Sequence, residues 1–255
     1  MRMDRSGEAP PDAASVLQRV ERAVGWARVG VDDHPRGTSC GAVVRSARAG
    51  QDPLRGWREA LGDQLRAAGN VAPAHLVAAF VLQWWCQVAA VPIGYAASLG
   101  PWLMRPAPAD LAFELAAGLY PGRITASPGT ALDVVPDLAH RLAAAETAYH
   151  AVVADVARGF APEVRMGSRQ RWGVVSDTWH ATLHAAASAP GALTGTASWQ
   201  ASDAIAASAP GHAPEPAPRR VSCCFLYLLP GCDTCATCPR RRTAPVAAPP
   251  RRGAG

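Results

Sequence analysis

Five of the seven cysteines in this 255-residue chain fall within sixteen residues near its C-terminus: Cys223, Cys224, Cys232, Cys235 and Cys238. The core spacing is Cys-Cys-x10-Cys-x2-Cys. Four thiolates so close in sequence can hold a metal centre. Three chemistries compete for the pattern. A [2Fe–2S] centre takes four thiolates, two on each iron. Cys235 and Cys238 have the C-x2-C spacing with which a tight turn grips one metal, and Cys223 and Cys224 supply two further sulfurs. Vicinal cysteines point in different directions, so spacing does not divide them between the irons. Structural zinc uses the same ligands, although a usual ribbon has two knuckles where this chain has one knuckle and one adjacent pair. Disulfides need an oxidising compartment. Spacing alone leaves iron–sulfur and zinc level, with disulfides behind. Cys232 reads either as the start of a Cys232-x2-Cys235-x2-Cys238 ladder suited to a [4Fe–4S] site or as a spectator beside the turn at Pro230-Gly231.

The order Cys-Cys, an apolar Tyr-containing stretch at 225–229, Pro-Gly, then Cys-x2-Cys-Pro resembles the C-terminal signature of the FhuF-like ferric-siderophore reductases. The resemblance implies a [2Fe–2S] cluster on Cys223, Cys224, Cys235 and Cys238, and leaves Cys232 outside the ligand set. A weaker match is Ser168-Arg-Gln-Arg-Trp172-Gly173, which looks like the polar segment ahead of that family's last helices. The first hundred residues share only general helical character. The activity implied is one-electron reduction of chelated Fe(III), a ferric siderophore, to release Fe(II). Siderophores hold Fe(III) through hard oxygen donors and Fe(II) far more weakly, so one electron frees the metal without destroying the chelator. The partners implied are the ferric siderophore, an electron donor and a peripheral contact with a membrane siderophore transporter. The alternative from another class is a non-redox binding module stapled by a four-cysteine zinc site. The family's helical body also resembles part of the siderophore synthetases, but no nucleotide-site residues accompany it here.

Hydrophobic residues make up 49% of the chain, ample for a core. All 25 basic residues are Arg and the net charge is only +5, with much of it at Arg219, Arg220, 240–242, Arg251 and Arg252. A nucleic-acid binder more often interleaves a basic patch with stacking aromatics, so no nucleic-acid partner is expected. The N-terminus has no apolar h-region, and a cytoplasmic location is expected. Residues 76–99 are apolar enough to raise a membrane question. Gln83, Gln87 and Pro92 within them favour a buried core helix, broken or kinked at the proline.

The fold expected is α+β, predominantly α-helical with a small antiparallel sheet and a C-terminal cysteine-rich cluster-binding segment. Residues 1–12 read as a disordered leader, 13–207 as the domain body, 208–220 as a Pro-rich linker, 221–242 as the cluster-binding segment and 243–255 as a disordered tail. Within the body, apolar spacing predicts helices over 13–29, 53–68, 72–90 with a continuation over 92–99, 132–160 and 169–188. Short strands are expected at 41–45, 102–105 and 123–126, residues 111–115 read either as a strand or as a helix capped by Asp110, and one more short helix is expected within 191–207.

Arg169 and Trp172 are the candidate substrate-binding residues, a guanidinium for an anionic or hydroxamate-type ligand and an aromatic shelf. His180 and His184 share a helix face at i, i+4, but neither His-Glu-x-x-His nor a third ligand accompanies them, so packing or surface is the expected role. Trp179 reads as core. One of Trp84 and Trp85 is expected to face inward. Cys86 reads as buried and inert, and Cys40 stands isolated. There is no dinucleotide fingerprint, P-loop or nucleophile elbow.

Overall fold

The computed structural model describes residues 12–189 and 220–240, apart from Pro35, Ala72 and Ala236. The 191–207 helix, the 208–219 linker and most of the leader and tail expected above lie outside the described residues. Six α-helices and two small sheets form the described body. The helices are α1 (Ala13–Val24), α2 (Cys40–Arg48), α3 (Arg55–Ala67), α4 (Ala74–Leu99), α5 (Leu138–Gly159) and α6 (Ser168–Ala187). The strands are β1 (Arg28–Val31), β2 (Thr38–Ser39), β3 (Trp102–Arg105), β4 (Leu111–Leu115), β5 (Pro121–Ala126) and β6 (Ala131–Val134). The architecture is α+β with the helices dominant, as the sequence predicts.

Helix α4 is the axis of the molecule. Its apolar residues run all the way round rather than along one stripe, and nineteen of them, from Leu76 to Leu99, are buried. Such a helix is stable only when enclosed. Helices α1, α3, α5 and α6 and strand β3 enclose it. Its length and hydropathy would let it cross a bilayer, but most of it is buried inside the protein. The expected break at Pro92 does not occur. Pro92 is buried within one continuous helix. Proline in a helix interior costs roughly 3 kcal/mol. Burial of the turns on both sides holds the helix through it, because leaving either half would expose residues such as Val88, Ile93 and Ala96.

Three other expectations change. Residues 41–45 are helical, inside α2, because Cys40, Val43, Val44 and Ala47 fall on one buried face at helical spacing. The first helix stops at Val24, where Gly25 takes a left-handed φ of 72°, and 28–31 then becomes strand β1. The long helix expected from 132 begins only at Leu138, capped by the Asp137 carboxylate accepting from the His140 N–H, and β6 precedes it. The four-stranded sheet has the order β1-β5-β4-β2, antiparallel except that β1 and β5 run parallel. Strands β3 and β6 pair separately as an antiparallel ribbon.

One buried cation fixes the C-terminal end of α4. Arg141 is 2% exposed and donates to the carbonyls of Ala97, Val135 and Pro136. It satisfies an otherwise orphaned helix-terminal carbonyl and joins α4 to the entry of α5. Replacing Arg141 by Met should therefore lower unfolding stability by at least about 2 kcal/mol, since buried carbonyls lose charged donors. Denaturant titration of both proteins measures it, and an unchanged midpoint would refute the role assigned to Arg141.

Candidate metal centre

The face of α6 that receives the cysteine segment is a stripe at helical spacing: Gln170, Gly173 and Asp177. Each meets the segment differently. Gln170 Nε2 donates to the Cys223 carbonyl at 2.7 Å. Gly173 allows close approach, since a Cβ there would lie 3.0 Å from the Cβ of Ser222. Asp177 is only 7% exposed, and its carboxylate accepts from the Val221 N–H at 2.8 Å, the Ser222 N–H at 2.8 Å and the Ser222 hydroxyl. Arg220 Nε lies 3.5 Å from the same carboxylate, and Arg220 Nη2 donates to Gln83 Oε1 of α4 at 3.0 Å. A carboxylate taken out of water is tolerated only when so surrounded by donors.

The segment then folds back on itself. The Arg220 N–H donates to the Thr237 carbonyl at 3.0 Å, so its two ends meet. Phe225 takes a left-handed φ of 61°, rare for a bulky residue, and its ring sits 5.6 Å from His75. That turn aims the Phe225 N–H at Cys223 Sγ, 3.4 Å away. A 3-10 turn (Leu226–Leu228) follows, and the Cys238 N–H closes a tight turn on the Cys235 carbonyl at 3.0 Å. The Sγ atoms of Cys224 and Cys235 come within 3.8 Å of each other across eleven residues of sequence. Cys224 and Cys238 are buried, and Cys223 and Cys235 are half-buried.

Burial raises the Cys223 thiol, with Cys238 and Cys224 adding to it and Arg240 opposing. Burial likewise pushes Cys235 up to about 11, reinforced by Cys224 and Cys238 and opposed by Arg220. Cys223 and Cys235 thus each feel Cys224 and Cys238, with Arg240 opposing at the first and Arg220 at the second. Sulfurs held this way suit a metal that expels thiol protons on binding. Among the described residues no three Cys, His, Asp or Glu side chains converge on one ion-sized point. The donor set, four cysteines in one short segment with one sulfur pair 3.8 Å apart, suits a two-iron centre, in which each iron takes two thiolates. The Cys232 N–H bonds the Leu229 carbonyl, and no hydrogen bond joins its thiol to the other four among the described residues.

The remaining sequence candidates scatter. Arg169 is exposed on the first turn of α6, and Trp172 is half-buried, edge-on to His150 at 6.2 Å on the α5 side. Their sequence neighbours Gln170 and Gly173, rather than these two, make the contacts described above with the cysteine segment. Arg171 braces the backbone instead, donating to the Arg158 and Phe160 carbonyls at 2.8 Å. Trp179 is buried and stacks on Tyr149, and Trp85 is the inward member of its pair while Trp84 stacks on Trp57. Cys40 and Cys86 are buried and pushed up to about 12 by desolvation, which makes both inert. Asp177 was not a sequence candidate. Its signal was a charge within the Val174 to Trp179 stretch, one turn beyond Gly173 and in register with Gln170.

Asp177→Asn should loosen the segment while leaving the body folded. The amide would turn one acceptor oxygen into a donor facing other donors, a loss of roughly 1–3 kcal/mol. Hydrogen exchange at the Val221 and Ser222 amides should accelerate by about tenfold or more. Unchanged exchange there would show that the carboxylate does not hold the segment.

Residues 220–240 match the family model described as the FhuF 2Fe-2S C-terminal domain. No curated protein and no solved structure matches the chain. The match spans every residue of the sulfur nest, and a [2Fe–2S] cluster is the cofactor it indicates. This C-terminal segment, clamped to α6 through Asp177, is therefore similar to the FhuF 2Fe-2S C-terminal domain, over 220–240 alone.

Proposed function

We propose that the protein reduces Fe(III) held in an oxygen-donor chelate, a ferric siderophore, and releases Fe(II). Cys223, Cys224, Cys235 and Cys238 hold the [2Fe–2S] cluster in this reading. The observation that carries it is the coincidence of the family match at 220–240 with four thiols in one folded segment, two of them, Cys224 and Cys235, 3.8 Å apart. The bound cluster supplies one electron at a time, the unit needed to take Fe(III) to Fe(II). The chain's own residues set the conditions for that transfer. The Phe225 N–H donates to the Cys223 sulfur, which favours a more electron-rich centre. Arg220 and Arg240 place positive charge beside the sulfurs and stabilise added negative charge. Half-exposure of Cys223 and Cys235 keeps the centre within reach of a partner molecule. The cytoplasm, whose thiol pools keep cysteines reduced, is the compartment in which this chemistry is placed.

Anaerobically purified protein should contain about two irons and about two labile sulfides per chain. Cys235→Ser and Cys238→Ser should lose the visible absorption, whereas Cys232→Ser should keep it. One equivalent of zinc without sulfide would overturn the assignment. Mixed with a ferric hydroxamate and a ferrous trap, chemically reduced protein should lose its reduced-cluster paramagnetic signal as Fe(II) appears, one iron per cluster oxidised. A reduced signal that persists across hydroxamate, catecholate and citrate chelates would leave an electron carrier, not a reductase.

A further inference from the structure

Where α4 and α6 part, above the cysteine segment, lies an open groove of about 300 Å³. One wall carries Gln83 and Gln87 of α4, the other His180 and His184 of α6, and Trp26 stands at the rim, 40% exposed. The i, i+4 spacing keeps each pair on one helix face, and both pairs line the one groove. Its floor is the cluster segment itself: Arg220, Val221 and Thr237. Thr237 is the residue before Cys238, and the Arg220 guanidinium is close enough to Cys235 to favour its thiolate. The Gln87 amide and the imidazole of His184 have no hydrogen-bond partner among the described residues. Free donors and acceptors in a concave site, with an aromatic edge, are what fix the orientation of a small ligand.

On the reductase reading given above, we infer that this groove is the seat of the ferric chelate. Its oxygen-donor arms would lie between the glutamines and the histidines, with Arg220 beneath them. Groove and cysteine segment share Arg220, Val221 and Thr237, so a chelate seated here lies against the segment that carries the sulfurs. Arg169 and Trp172, near the start of α6, offer no comparable cleft.

The test separates binding from electron transfer by using gallium(III) complexes, which carry the charge and shape of the ferric ones but accept no electron. Gallium(III) complexes of a linear trihydroxamate, a tricatecholate and citrate are titrated calorimetrically into cluster-loaded protein. Ala181 is exposed on the α6 wall of the groove, so Ala181→Trp fills the groove without disturbing the core. Ala151→Trp on the exposed face of α5 is the control. For whichever complex binds wild type, Ala181→Trp should raise Kd by at least tenfold and Ala151→Trp should leave it unchanged, with the visible spectrum the same in all three. His184→Ala should raise Kd about threefold or more through loss of a ring hydrogen bond. Equal binding by wild type, Ala181→Trp and His184→Ala overturns the groove, as does loss of binding in Arg169→Ala alone. Failure of wild type to bind any of the three complexes overturns the reductase reading, and this site with it.

Discussion

One buried carboxylate holds the functional end of the molecule to its body. Asp177 accepts from two consecutive backbone amides, a serine hydroxyl and an arginine, and without it the cysteine segment would touch α6 through little besides Gln170 and the close contact at Gly173. The arrangement is reciprocal. The segment's donors are what make a charge at that depth tolerable, and the charge fixes the direction in which the chain enters the sulfur nest. Residue 222 is held, so residues 223 and 224 start from a defined place. A cluster site needs that definition, because sulfurs contributed from both ends of a short segment must arrive together.

The body provides the rigidity. Helix α4 is enclosed along most of its surface, and α6 packs along it. Two residues of α4 break its apolar character on one flank, Gln83 and Gln87, and both line the groove beside the cluster segment. Gln83 is drawn into the same network by accepting from Arg220. Arg220 thus stands at a junction. It balances Asp177, bonds α4, ties its own backbone to Thr237 and presents positive charge to Cys235. A single substitution there would be felt by the platform, the nest and the groove together.

Most helices and the strands at 102–105 and 123–126 were legible in the sequence, because apolar spacing and turn residues are local signals, whereas 111–115 read equally as strand or helix. The errors have one cause in common. Residues 41–45 read as a strand, but a helix buries Val43 and Val44 against α5 and the sheet. Pro92 read as a break, but enclosure of α4 outweighs a local cost of a few kcal/mol. Strand β1 was hidden in the end of a helical pattern because its partner, β5, lies almost a hundred residues away. In each case the deciding partner is distant along the chain.

The same division holds at the site. The sequence by itself narrowed the chemistry: the thiol spacing points to a four-cysteine centre of iron–sulfur or zinc, the resemblance of the segment implies the [2Fe–2S] cluster, and the matched family at 220–240 agrees. Thiolate chemistry depends on residue type and short spacing, both of which are written locally. Tertiary structure alone decided what that segment rests on and what it faces. Asp177 looks like any polar residue in a helix until Ser222 is folded against it, and the glutamine and histidine pairs acquire a common purpose only when α4 and α6 lie side by side. The physical reason is that a buried charge and a binding groove are properties of surfaces brought together. Neither α6 nor the cysteine segment carries them alone.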